Sequence, residues 1–234
     1  MTTVPYASAL IVGAGPGLGA SLARAFTREA GLRVIVAARG RDKLEAIAAE
    51  TGAGVMTCDS TDADAVSALF DAATEQLGGA PEVVVYNASQ RVRGPFVEVD
   101  PMAVARAISV TAYGAFLVAQ QAARRMLPMG KGAILFTGAS AGVKGYPQSA
   151  AFAMGKFALR GLAQSMAREL MPQGIHVGHI VVDGSIRPSG DAANDVDDHR
   201  LDPDAIAATY LQLLAQPRNA WTWEIEVRPW VERF

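Results

Sequence analysis

The chain has 234 residues, half of them apolar, and its 21 Lys and Arg against 23 Asp and Glu leave a formal net charge of −2. That length buries one sizeable core and asks for no second unit, so a single domain over residues 1–234 is expected. With so little charge and no long Lys or Arg block, there is no electrostatic case for nucleic acid or an anionic membrane, and a small molecule is the expected partner.

Short β-branched or apolar runs alternate with longer helical stretches, the pattern of repeated βαβ units around a parallel sheet covered on both faces. In chain order, a strand is expected at Ala9–Val12, a helix at about Gly17–Ala30, a strand at Arg33–Ala37 and a helix at Asp42–Glu50. Strand Gly54–Thr57, helix Asp62–Leu77, strand Glu82–Tyr86 and the long helix Pro101–Leu127 follow. Strand Ala133–Thr137, helix Ala150–Met171, strand His176–Val182, helix Pro203–Gln216 and strand Trp223–Val227 complete the order. Strand then helix, repeated along the chain, predicts an α/β fold: a Rossmann-type, doubly wound parallel sheet of about seven strands in three αβα layers. The long irregular stretch at about 183–202 is polar and acidic and follows a strand's carboxyl end, where a lid over a substrate would sit; a solvated surface loop is the alternative.

The lone cysteine, Cys58, leaves no intrachain disulfide or cysteine-cluster metal site and reads as a small buried apolar side chain. His176, His179 and His199 are scattered without metal-ligand spacing or a nucleophile elbow, so neither a metal nor serine-hydrolase chemistry is expected. No apolar run approaches the roughly 20 residues of a membrane span. Met1 to Tyr6 has neither the basic nor the apolar segment of a secretory leader, so a cytoplasmic location is expected.

Chemistry enters at the first turn. Leu10-Ile11-Val12 runs directly into Gly13-Ala14-Gly15-Pro16-Gly17-Leu18-Gly19 and then into an apolar-patterned helix. Glycines there permit a tight turn and close backbone approach, while the helix N-terminus directs free N–H groups and partial positive charge at a pyrophosphate. After the second strand, an acidic residue would bind the ribose hydroxyls of NAD, whereas arginine accommodates the 2′-phosphate of NADP. The chain reads Ala38-Arg39-Gly40-Arg41, so NADP is expected over NAD, with Arg39 meeting the phosphate and Arg41 offering a second cation; solvated loop charge is the alternative.

The spacing Gly13-x-x-x-Gly17-x-Gly19 resembles that of the short-chain dehydrogenase/reductase family. Two further matches extend the resemblance. Asp59 follows the third strand, where the family places an aspartate near the adenine, and Tyr86-Asn87-Ala88-Ser89 is similar to its Asn-Asn-Ala-Gly, keeping Asn87 and Ala88. Taken singly, Asp59 also reads as a helix cap and Asn87 as a turn former. In the family, a tyrosine four residues before a lysine is the proton donor and acceptor, the lysine binds the nicotinamide ribose, a serine holds the substrate oxygen and an asparagine supports a water relay. Here Phe152 precedes Lys156 by four, Ala139 stands at the serine position with Ser140 beside it, and Thr111 stands at the asparagine; Lys156 alone is kept unambiguously.

Phenylalanine cannot donate a proton, and a positioned general acid is commonly worth about 10²–10⁴ in rate. Tyr146 is the best replacement by position; Tyr113, Ser149 and Asp183 are further candidates whose ordinary readings are amphipathic core, helix cap and loop polar residue. Asp183-Gly184 also stands where the family has Pro-Gly. The resemblance therefore implies an NADPH-dependent oxidoreductase acting on a small carbonyl or imine with a nonstandard proton donor, or a catalytically silent NADP-binding protein that regulates an interaction. Family members assemble through their two long helices and last strand, so a homodimer or homotetramer is expected, with Tyr113, Phe116, Leu117, Phe157, Leu162 and Met166 on those helices. Apolar stripes of that spacing are equally what a core requires, and Trp221-Thr222-Trp223 and Pro229-Trp230 are an alternative subunit boundary.

Overall fold

The strands form where β-branched runs can be buried from both sides. The computed structural model describes residues 3–188 and 198–232, and within them seven parallel strands make one sheet: β1 (Ser8–Val12), β2 (Arg33–Ala38), β3 (Gly54–Thr57), β4 (Val83–Tyr86), β5 (Gly132–Thr137), β6 (Ile175–Val182) and β7 (Glu224–Val227). The spatial order is β3-β2-β1-β4-β5-β6-β7. The registers pair Ile11 with Val36 and with Val85, and Phe136 with His179. Strands β1, β4, β5 and β6 are buried along their whole length, as a parallel sheet covered on both faces requires.

The two faces separate by the period of two. Ala9 and Ile11 pack with Leu22 and Phe26 of α1 (Leu18–Arg24 and the turn after it) and with Tyr210 and Leu214 of α7 (Pro203–Leu214). α2 (Asp42–Thr51) adds Leu44 and Ile47 to that side. Leu10 and Val12 pack on the other face with Phe70 of α3 (Ala63–Leu77), Val118 of α5 (Gly114–Met126) and Leu159 of α6 (Ala150–Leu170). A fully buried side chain such as Phe70 contributes roughly 1.5–3 kcal/mol by removal from water. α3, α4 (Pro101–Ile108) and α7 are started by Asp62, Asp100 and Asp202, whose carboxylates accept backbone N–H bonds of the first turn.

Two sequence expectations need correction here. The helices expected at 17–30 and 101–127 each contain a π turn, at Ala25–Glu29 and Ser109–Tyr113, where one extra residue shifts the facing of everything after it. Tyr113 accordingly stands 50% exposed, stacked at 6.4 Å on Phe116, instead of entering the core. Second, the helical run Pro101–Met129 is long and apolar enough to cross a membrane by length and composition, although no uninterrupted apolar run in it is. In this fold its Ala115, Val118, Ala122 and Met126 cover the sheet. At the C-terminal aromatic segment, Trp221 stacks on His176 at 4.7 Å and Arg160 lies 5.9 Å from the Trp223 ring, both tryptophans staying half-buried. Trp230 stays 81% exposed.

Of the lid-like loop expected at 183–202, residues 189–197 lie outside the described residues. Its two ends are joined. Ile186 and Leu201 form a bridge, Arg187 N–H donates to the Leu201 carbonyl at 2.9 Å, and Arg187 pairs with Asp202 at 2.5 Å.

Gly13 has φ +85°, and a Cβ built there would lie 2.3 Å from the Ala88 backbone nitrogen. Gly13→Ala is therefore expected to lower unfolding stability by about 2–5 kcal/mol, the combined cost of left-handed backbone strain and overpacking. Urea denaturation checks this, and a midpoint equal to the parent's would contradict the junction.

Candidate active site

Because every strand runs the same way, their carboxyl ends share one edge, and the strand order reverses between β1 and β4, where open α/β sheets bind ligands. A cavity of about 1000 Å³ opens at that edge. It runs from Gly17 and Leu18 at the head of α1, past Asn87 and Ser89 after β4, to Ser140, Phe152 and Lys156.

The glycine turn divides into two pairs by what each glycine faces. Gly13 is closed against Ala88, and a Cβ on Gly19 would lie 2.7 Å from the Ala14 Cα. A Cβ on Gly15 or Gly17 would meet nothing within 4 Å, so there the backbone is open to a ligand. Pro16 is exposed between them and Leu18 is anchored in the core. α1 begins at Gly17 with no side-chain cap, leaving its first N–H groups and positive dipole end toward the opening. Asn87 ties this turn to β4, its backbone N–H donating to the Val12 carbonyl at 2.8 Å and its Nδ2 to the Gly13 carbonyl at 2.9 Å.

Arg39 is exposed just past β2, with no carboxylate in ion-pair reach among the described residues. Arg41 donates to Glu45 at 2.6 Å and is a spoken-for cation. Asp59 accepts from the Thr61 N–H and hydroxyl at 3.0 and 2.8 Å, bonds that hold its carboxyl below the ordinary range, with the Arg39 charge adding to them. The reading of Asp59 as the cap of the next helix is overturned, since Asp62 makes those bonds. An uncapped helix start, two open glycines and an unpaired arginine fit a dinucleotide carrying an extra phosphate.

At the far end of the cavity Lys156, 2% exposed, donates from Nζ to the Thr137 carbonyl at 2.7 Å. Burial pushes its pKa down to about 7. The Phe152 ring centroid lies 5.8 Å from that Nζ, the place a helical turn gives a residue four positions earlier. Ser140 lines the cavity and opens a short 3₁₀ turn whose carbonyl accepts from Val143 and Lys144. Tyr146 lines it too, 43% exposed, with Lys144 Nζ 5.8 Å from its ring centroid.

Other expectations change. Ser149 is buried at the start of α6 and lines the cavity, but its side chain caps nothing. Asp183 is no loose loop residue. It is 2% exposed and pairs with Lys144 at 3.3 Å and Arg228 at 3.2 Å. Thr111 sits in the second π turn, its Oγ1 accepting the Gln90 N–H at 3.2 Å. Tyr86 reaches back to the same turn, its hydroxyl donating to the Val110 carbonyl while Ser60 lies 3.0 Å away. His179 is kept neutral by burial, its pKa pushed down to about 4, and bonds Glu224 at 3.0 Å behind the bidentate Arg160–Glu224 pair. Sequence reasoning missed Arg91 and Arg93, which line the cavity; the only signal was two arginines in alternation after Asn87-Ala88-Ser89.

The family model described as short chain dehydrogenase matches residues 7–189. Over 235 aligned residues, 98% of this chain and all of the relative, the sequence is 29% identical to an uncharacterized oxidoreductase of Staphylococcus aureus strain N315. It is 31% identical to (+)-borneol dehydrogenase 1 of Salvia officinalis, over 80% of this chain and 72% of that protein. The fold is similar to a short-chain dehydrogenase from Rhodopseudomonas palustris, with TM-score 0.80, 35% identity and coverage of 95% of this chain and 99% of that one. A metagenomic short-chain oxidoreductase in complex with NADP gives TM-score 0.83 and 27% identity, over 97% and 98% of the two chains.

A buried lysine that is neutral in the fold and charged when unfolded links stability to pH. The unfolded chain holds the proton up to the ordinary value of 10.5 and the folded chain releases it near 7, so between those values unfolding takes up a proton and the fold gains stability as pH rises. Relative to Lys156→Met, the protein without cofactor is expected to gain up to about 1.4 kcal/mol per pH unit from pH 7 to 10. Parallel denaturation curves measure it, and a flat difference would place the ammonium in water.

Proposed function

This chain belongs to the short chain dehydrogenase family, and we propose that within it the protein is an NADPH-dependent oxidoreductase that reduces a small carbonyl or imine, using a proton donor other than a helix tyrosine. One observation carries the reading: a single cavity joins the open glycine turn at Gly17 to the buried Lys156. NADPH, when bound, supplies the hydride. The protein's own residues do the rest. Gly15, Gly17 and the N–H groups heading α1 bind the pyrophosphate, Arg39 takes the 2′-phosphate, and Asp59, Asn87 and Ala88 flank the nucleoside portions. Lys156 holds the nicotinamide ribose hydroxyls, and Ser140 orients the substrate oxygen.

That oxygen or nitrogen must still gain a proton. Phe152, standing where the family carries tyrosine, has none to give. Tyr146 faces the same cavity and carries a hydroxyl that can give one. Phe152 and Thr111 also support a second reading, NADP binding that regulates an interaction without turnover. Its signature would be NADPH binding with no oxidation across a panel of ketones, aldehydes and imines.

The apolar side chains that the second π turn, α5 and α6 leave uncovered, Tyr113, Phe116, Met154 and Phe157, support assembly as a homodimer or homotetramer. Sedimentation velocity reads this directly, and a monomer at micromolar concentration would refute it.

Tyr146→Phe is expected to lower kcat by about 10²–10⁴ with little change in NADPH affinity; full activity in that variant would remove Tyr146 from the mechanism. Arg39→Asp is expected to weaken NADPH by about 10- to 100-fold and NADH far less. Fluorescence titration decides it, and equal losses for both cofactors would exclude Arg39 as the phosphate ligand.

A further inference from the structure

The loop after β4 brings Arg91 and Arg93 to the cavity wall. The Arg91 guanidinium carbon lies 4.6 Å from the Phe152 ring centroid, the same ring that Lys156 Nζ approaches to 5.8 Å. The loop is pinned at both ends. Gln90 N–H donates to Thr111 Oγ1 at 3.2 Å, and Gly94 N–H to the Gln148 carbonyl at 3.2 Å. Stacking engages the face of a guanidinium and leaves its in-plane N–H donors free for a planar anion.

The described charges around the pair do not neutralise it. Among the described residues neither Arg91 nor Arg93 has a carboxylate in ion-pair reach, whereas Arg187, also on the cavity wall, is paired with Asp202. Asp183 is held by Lys144 and Arg228, and the other acid of the lining, Glu232, is exposed. Both arginines are exposed toward the opening, and partial burial, then the neighbouring Arg93 charge, holds the Arg91 pKa below its ordinary value.

Building on the oxidoreductase reading, we infer that the substrate is anionic: a small carbonyl compound with a carboxylate or phosphate within a few bonds of the carbonyl. Arg91 and Arg93 grip the anion, and the carbonyl end lies across the Phe152 ring toward Lys156. Phe152 then has a task that needs no hydroxyl. It is the platform that fixes the guanidinium.

The test compares charged and neutral partners of one skeleton: pyruvate and acetoacetate against their methyl esters, and glycolaldehyde phosphate against glycolaldehyde, each with NADPH. Esters are intrinsically the more electrophilic ketones, so a preference for the acid reports recognition. The parent is expected to favour at least one anion by about 10- to 100-fold in kcat/KM, and Arg91→Gln to collapse that ratio through KM. Circular dichroism confirms folding, and Arg93→Gln serves as the second variant. Equal acid and ester rates in the parent, or a ratio that survives both substitutions, would overturn the inference. If nothing turns over, calorimetric titration of pyruvate and of inorganic phosphate into the NADP-loaded protein separates the two readings. Anion binding that Arg91→Gln abolishes keeps the anion site while the oxidoreductase reading fails, and NADP binding without either anion overturns both.

Discussion

The ends of β1, β2 and β4 converge on one residue with no side chain, and the rest of the site takes its position from that convergence. Gly13 N–H donates to the Ala37 carbonyl, its own carbonyl accepts from Asn87, and Ala88 fills the space a Cβ would need. Three neighbouring strands are thereby locked where the sheet order reverses. With Gly13 and Gly19 closed against protein, the turn can open only at Gly15 and Gly17, which sets the direction of α1 and the floor of the cavity. Arg91 lies four residues after Asn87 on the loop that follows β4 and inherits its position from the same junction.

Charge pairing separates scaffold from site. Around β6 and β7 the ionisable groups satisfy one another: His179 on Glu224, Glu224 on Arg160, Asp183 between Lys144 and Arg228. Inside the cavity the pattern differs. Lys156 has one neutral carbonyl for company, and Arg91 has an aromatic face. Basic groups that no carboxylate among the described residues offsets thus gather along one cavity, Lys156 buried and Arg91 and Arg93 exposed, and mark where ligand charge belongs.

Much of this was legible in the sequence because it depends on near neighbours. Every strand lies within a residue of its expected position, since four- to eight-residue β-branched runs between glycines leave little choice of state. The glycine turn was legible for the same reason. The π turn at Ser109–Tyr113 was not: it obeys no 3.6-residue period, and the Tyr86 hydroxyl that meets its Val110 carbonyl comes from a distant strand. Tyr113 faced outward as a result, and Thr111 became the anchor of the arginine loop.

The sequence by itself determined the doubly wound sheet, the glycine turn, Arg39 beyond the second strand and a phenylalanine, Phe152, four residues ahead of Lys156. These follow from periodicity, backbone freedom and side-chain chemistry, which act over one turn of chain. Only the tertiary structure decided that Lys156 is buried against Thr137, that Asp183 is paired with Lys144 and Arg228, and that Arg91 lies on the Phe152 ring with no counter-ion among the described residues. Burial and pairing are properties of groups far apart in sequence, and the dielectric that gives an unpaired charge its meaning exists only once the chain has closed around it.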